Sequence, residues 1–69
     1  MTSINMIGEA AGKVWHFLDE HGRSSLATLE NGIEAPRGMV LMAVGWLARE
    51  GKVELAQEGR TTIAWLRGD

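Results

Sequence analysis

An α+β fold, three helices followed by a C-terminal β-hairpin, is predicted by three features of this 69-residue sequence. Apolar residues recur at helical spacing from Ile4 to Leu47, then alternate with polar ones from Val53 onward. The single proline, Pro36, and the glycines at 22, 32 and 51 divide the helical part into three. Glu58-Gly59 places a turn signal inside the alternating part. The length suits one domain over residues 1–69.

The first helix is read from "SINMIGEAAGKVWHFLDEHG". Ile4, Ile7, Ala11, Val14, Trp15 and Leu18 share a face, and Asn5, Glu9, Lys13, His16 and Glu20 lie opposite. Thr2 or Ser3 offers a capping oxygen, and Gly22 suits the left-handed position past the end. Gly8 and Gly12 each cost an exposed helix about 1 kcal/mol relative to alanine. They imply either the close approach of another backbone or a loosely ordered first turn.

The second helix is short. In "SSLATLENG", Ser24 or Ser25 can cap, Leu26 and Leu29 point inward, and Asn31-Gly32 is a stop. After "GIEAP" the third helix starts with Pro36 at or near its first position, where a missing N–H costs nothing, and with Ala35 as a poor cap. Gly51 closes it. In "KVELAQEGRTTIAWL", Val53, Leu55, Ile63 and Trp65 are expected to share the core face. That parity requires an odd loop, met by the three residues Gln57-Glu58-Gly59.

Helix, short helix, turn, longer helix and hairpin is the order of a winged helix-turn-helix. Two strings, "IGEAAGKVWHFL" in the first helix and "AVGWLAREGKVE" at the junction of the third helix and the wing, carry a closer likeness. The sequence resembles a family of small, stand-alone bacterial and archaeal winged-helix proteins of unassigned function, over nearly its whole length. Leu47 followed by Gly51 and Val53 recurs across winged-helix regulators, whereas Gly45-Trp46 and Gly12-Lys13-Val14-Trp15 are more particular. The sequence departs from the pattern at "EAPRGM", where polar residues usually enter the third helix. The resemblance implies a fold that mostly binds DNA, although fold alone does not decide function.

Composition narrows the partners. A chain of this size buries only about 60% of its unfolded surface, so it is marginal without added support. Cysteine is absent, which removes disulfides and thiolate metal sites, and the two histidines, five residues apart, point in different directions on a helix. Association with another chain is the support left open. Seven basic residues stand against nine acidic ones, a net charge of −2, which is a poor electrostatic footprint for phosphates. The first twelve residues hold no Lys or Arg, and the longest nearly apolar run, "MVLMAVGWLA", is ten residues. A membrane span needs roughly 20. A cytoplasmic location without membrane attachment is therefore expected.

The third helix is the element that reads the major groove in this fold. Val40, Ala43, Val44 and Leu47 form its inward stripe, which leaves Met39, Met42, Gly45, Trp46 and Arg49 outward or flanking and Leu41 at the margin. Base edges call for Arg, Lys, Asn, Gln, Ser or Thr, and only Arg49, with Arg37 from the first turn, qualifies. Met39, Met42 and Trp46 are instead the candidate protein interface, covered by a second copy, by another partner, or by a segment of the same chain. Arg37, Arg49, Lys52 and Arg60 are candidate phosphate contacts, opposed by the interspersed Glu50, Glu54 and Glu58.

Catalysis has little support. Ser24 and Ser25 lack a nucleophile elbow, His16 and Glu20 are an ordinary helix-surface pair, and there is no phosphate loop or metal-ligand cluster. The expected function is therefore non-enzymatic and without a cofactor. The module is read as self-associating through its apolar third helix, as a homodimer or with another protein, in a regulatory adaptor or DNA-associated role with weak DNA binding. The alternative is a sequence-specific double-stranded DNA-binding transcription regulator, with the third helix in the major groove.

Overall fold

The computed structural model describes the backbone of residues 3–68 and the side chains of residues 6–68. Its elements are α1 (Ser3–His21), β1 (Ser24–Ser25), α2 (Leu26–Gly32), α3 (Arg37–Arg49), β2 (Val53–Glu58) and β3 (Thr61–Leu66). The strands form one antiparallel sheet in the order β1-β3-β2. The winged helix-turn-helix architecture is therefore present, with a third strand, β1, that pairs Ser24 with Ala64 and Ser25 with Ile63. Two serines carry no periodic signal, so β1 is invisible to pattern reading.

Helix α1 packs along α3. Its buried residues are Ala10, Ala11, Val14 and Leu18, whereas Trp15, expected on that face, is 37% exposed. The two alanines let the helix axes approach closely, and that contact rotates Trp15 to the margin. The expected Thr2 or Ser3 cap and the inward Ile4 fall outside the described side chains. Gly22 takes φ +76° after the last helical residue.

Ser25 caps α2 by accepting a bond from the Thr28 amide at 3.0 Å. Leu29 is fully buried and Leu26 packs against the core. The helix stops at Gly32, where the chain also needs room. A methyl group there would lie 2.6 Å from Cε2 of the half-buried Phe17 ring.

Helix α3 begins one residue later than expected. Pro36, with φ −58° and ψ 141°, is itself the cap residue, and its carbonyl accepts from the Met39 and Val40 amides at 3.0 and 3.1 Å. The inward stripe is as read from the sequence, since Val40, Ala43, Val44 and Leu47 are all buried. At the other end Gly51 turns with φ +77°. The Lys52 amide then bonds to the Leu47 carbonyl and the Gly51 amide to the Ala48 carbonyl, a Schellman motif that satisfies two orphan carbonyls.

The hairpin corrects the expected register. Glu58 pairs with Thr61, so the loop is the two residues Gly59-Arg60, not Gln57-Glu58-Gly59. Gly59 has φ +65° and Arg60 a negative φ, as in a type II′ turn, whose twist matches the flanking strands. Even parity puts Val53 and Leu55 opposite Leu66 and Ala64, and moves Ile63 and Trp65 to the other face. Val53 and Ala64 are buried and Leu66 packs on the core, while Leu55, on the edge strand β2, is 43% exposed. Trp65 is covered by Arg23, whose guanidinium lies 4.9 Å from the ring centroid and also pairs with Glu58.

Glycine substitutions test this packing. Gly45 sits mid-helix with nothing within 4 Å of an added Cβ, unlike Gly32 against Phe17. Gly45→Ala is expected to stabilise the domain by about 1 kcal/mol, raising Tm by roughly 4–8 °C. Gly32→Ala is expected to lower Tm, because the displaced Phe17 ring outweighs the gain in helix propensity. Thermal melts at low protein concentration check both signs.

Candidate functional site

Around α3, successive side chains are 100° apart, and the buried stripe leaves a solvent-facing pole centred on Gly38, Met42, Gly45 and Arg49. Met42 is 50% exposed, and Leu41 and Trp46, each 42% exposed, flank it. Neither glycine has an atom within 4 Å of an added Cβ, so this pole is open. Met39, the third expected interface residue, is half-buried against the core. Its neighbours round a small hollow include Met6, Lys13, Ala35 and Pro36. It therefore borders the patch instead of standing in it.

Trp46 also forms one wall of a groove between α3 and α1, about 390 Å³ in volume. Trp15 and the small residues Gly8, Ala11 and Gly12 line the α1 side, with His16, Glu50 and Lys52 at its margins. The Trp15 ring meets His16 edge-on at 5.4 Å. Thus the apolar surface runs from Leu41 and Met42 through Trp46 to Trp15. By periodicity alone Trp15 belongs to the core face and Leu41 to the margin. The clue to Trp15 was the Ala10-Ala11 pair, which centres the buried arc of α1 away from it.

The candidate phosphate contacts are all exposed but not all free. Arg37 reaches Asn31 Oδ1 at 3.5 Å, and Lys52 lies 3.8 Å from Glu50. Arg49 and Arg60 make no ion pair among the described residues, and Arg49 lies in the last turn of α3, where a cation favours the helix dipole. The basic groups thus stand at both ends of α3 and at the wing tip, while the middle of α3 offers methionine, leucine, tryptophan and glycine. No base-reading side chain lies between Arg37 and Arg49. Among the described residues there is no group of three or more potential metal ligands and no helix long and apolar enough to cross a membrane.

The model of the winged helix-turn-helix domain family DUF2582 matches residues 1–66. The chain belongs to this family. An uncharacterized protein of the archaeon Methanocaldococcus jannaschii is 38% identical over 64 residues, covering 88% of this chain and 90% of that one. Among solved structures, a Bacteroides thetaiotaomicron protein determined by NMR superposes with a TM-score of 0.83 at 32% identity, over 94% of this chain and 79% of that one. The Zα domain of Carassius auratus PKZ, solved with Z-DNA, gives 0.78 at 21% identity, over 88% of this chain and 97% of that one. A domain of HOP2, described in terms of DNA recognition and protein interaction, gives 0.71 at 24% identity, over 84% and 98%. At those two identities the likeness is one of fold, and the family shares its architecture with domains that engage DNA.

Proposed function

We propose that this family member is a non-enzymatic binding module whose α3 meets another protein chain, most simply a second copy of itself, in a regulatory adaptor or DNA-associated role in the cytoplasm. The observation that carries this reading is the exposure of Leu41, Met42 and Trp46 on one side of α3, continuous with Trp15 on α1. All four are large apolar residues left exposed, and a contiguous exposed apolar patch of this kind is what interaction sites present. Methionine and tryptophan are the residues that interfaces favour. A two-fold contact uses the same patch on both sides. Sedimentation of the wild-type protein is the direct test. A concentration-dependent dimer is expected, and a strict monomer up to roughly 0.5 mM would overturn self-association at α3.

A second reading is supported by the fold shared with the Zα and HOP2 domains and by the four cations at the ends of α3 and on the wing. On that reading the module is a DNA-binding transcription regulator with α3 in the major groove. The α3 surface argues that any duplex binding is phosphate-dominated. Binding to unrelated duplexes should then be weak, alike in affinity and steeply salt-dependent. Selection from a random duplex pool distinguishes the two. A recovered site bound about 10³-fold above background at 150 mM salt would establish the regulator.

A further inference from the structure

The wing presents a second surface that owes nothing to α3. Strand β2 is an edge of the sheet, with β3 on one side and, among the described residues, no strand on the other. Its outward-turned backbone groups follow from the hydrogen-bond alternation. The Arg67 amide donates to the Lys52 carbonyl at 3.0 Å, so the opposed pair Lys52 and Arg67 is hydrogen-bonded. In an antiparallel ladder such pairs alternate, which makes Glu54–Trp65, Ala56–Ile63 and Glu58–Thr61 bonded as well. Val53, Leu55 and Gln57 therefore turn their N–H and C=O groups away from β3. Natural edges are usually blunted by proline, a bulge or an inward-pointing charge. Here β2 pairs residue for residue with β3, and its core-side residues are Val53, Leu55 and Gln57.

We propose that β2 pairs antiparallel with β2 of a second copy about a two-fold axis at Leu55, joining two three-stranded sheets into one of six. The charges favour a second copy as the occupant and disfavour the two neighbouring registers. With Leu55 opposite Leu55 of the second copy, Val53 faces Gln57, Glu54 faces Ala56, and Lys52 faces Glu58. The last pair occurs twice by symmetry and joins opposite charges on the same face of the sheet. Sliding the copies by two residues keeps the bonding alternation but opposes Glu54 to Glu54 in one direction and to Glu58 in the other. Like charges directly opposite are destabilising, so of these three registers only the one centred on Leu55 is free of them. In that register the two Leu55 side chains, 43% exposed in the single chain, cover each other across the junction. Because Leu55 is the only large apolar side chain involved, this contact is weaker than the one proposed at α3.

Amide exchange measured against concentration, in a Met42→Glu background that removes the α3 contact, tests the pairing independently of the α3 reading. The Leu55 and Gln57 amides should exchange more slowly as concentration rises toward about 1 mM, while those of Glu54 and Ala56, already bonded to β3, should not change. Leu55→Pro should abolish the concentration effect and the residual dimer while keeping the fold, since its lost N–H makes no bond to β3. Lys52→Glu and Glu58→Lys should each weaken association about tenfold, and the double exchange should restore it. Leu55 and Gln57 amides indifferent to concentration, with a strict monomer, would overturn β2 pairing and leave the α3 reading intact. Failure of wild-type dimerisation at α3 would leave these amides as the separate judge of β2.

Discussion

Met42→Glu is expected to yield a folded monomer at concentrations where the wild-type protein is a dimer. Met42 lies about 150° round α3 from the centre of its buried stripe, and half of its surface is open, so the variant removes little from the core. Glutamate and methionine have similar helix propensities, which keeps the local cost small. Across a two-fold contact, however, the substitution buries two carboxylates in an apolar patch and brings them towards each other. The resulting penalty of several kcal/mol should weaken association by about 100-fold or more. Light scattering and far-UV CD on both proteins check the result: halved mass with native helicity is expected. A variant of undiminished mass would show that the patch is not the interface.

Ala64→Asp is expected to unfold the domain outright. Ala64 is fully buried on the core side of β3, opposite Leu55 on β2 and beside Ser24 of β1, the one residue that touches both neighbouring strands from the inner face. A buried, unpaired carboxylate costs several kcal/mol, and a core of this size supplies only about 3–5. Loss of the cooperative thermal transition is the expected readout. Leu55→Asp provides the contrast. It lies on the same face, but on the edge strand and 43% exposed, and should retain a cooperative melt within about 1 kcal/mol of wild type. A stable Ala64→Asp would return Ile63 and Trp65 to the core side.

These two residues mark the limit of what pattern reading reaches. In α3 the periodicity runs for 13 residues, long enough for Val40, Ala43, Val44 and Leu47 to define a single stripe, and all four are buried. In α1 the stripe was legible but its edge was not. Trp15 outweighs Ala10 in hydrophobicity, yet the small residue is the one that fits where two helices touch. The hairpin failed on parity alone. "QEGR" admits a turn of two or three residues, and the single residue of difference moves Ile63 and Trp65 across the sheet. Hydrophobicity alone favours the large residues for the core, whereas the space between sheet and helices accepts Ala64. Trp65 takes its cover from Arg23, 42 residues earlier in the chain.

The candidate surface divides along the same line. That α3 carries Met42 and Trp46 outward, and no base-reading group between Arg37 and Arg49, follows from angles within one helix and was legible without a fold. Whether those side chains stay open depends on what lies over them, and only the tertiary structure decides that. It leaves Met42, Trp46 and Leu41 uncovered, draws Met39 half into the core, and adds Trp15 to the same surface. The physical reason is one of range. Backbone geometry sets the direction of each side chain within its own element, so composition and periodicity determined the fold class, the inner stripe of α3 and the apolar character of its outer face. Burial is decided by contacts between elements far apart in the chain, and by turns whose parity depends on a single residue, so the strand register and the extent of the exposed patch came from the assembled fold.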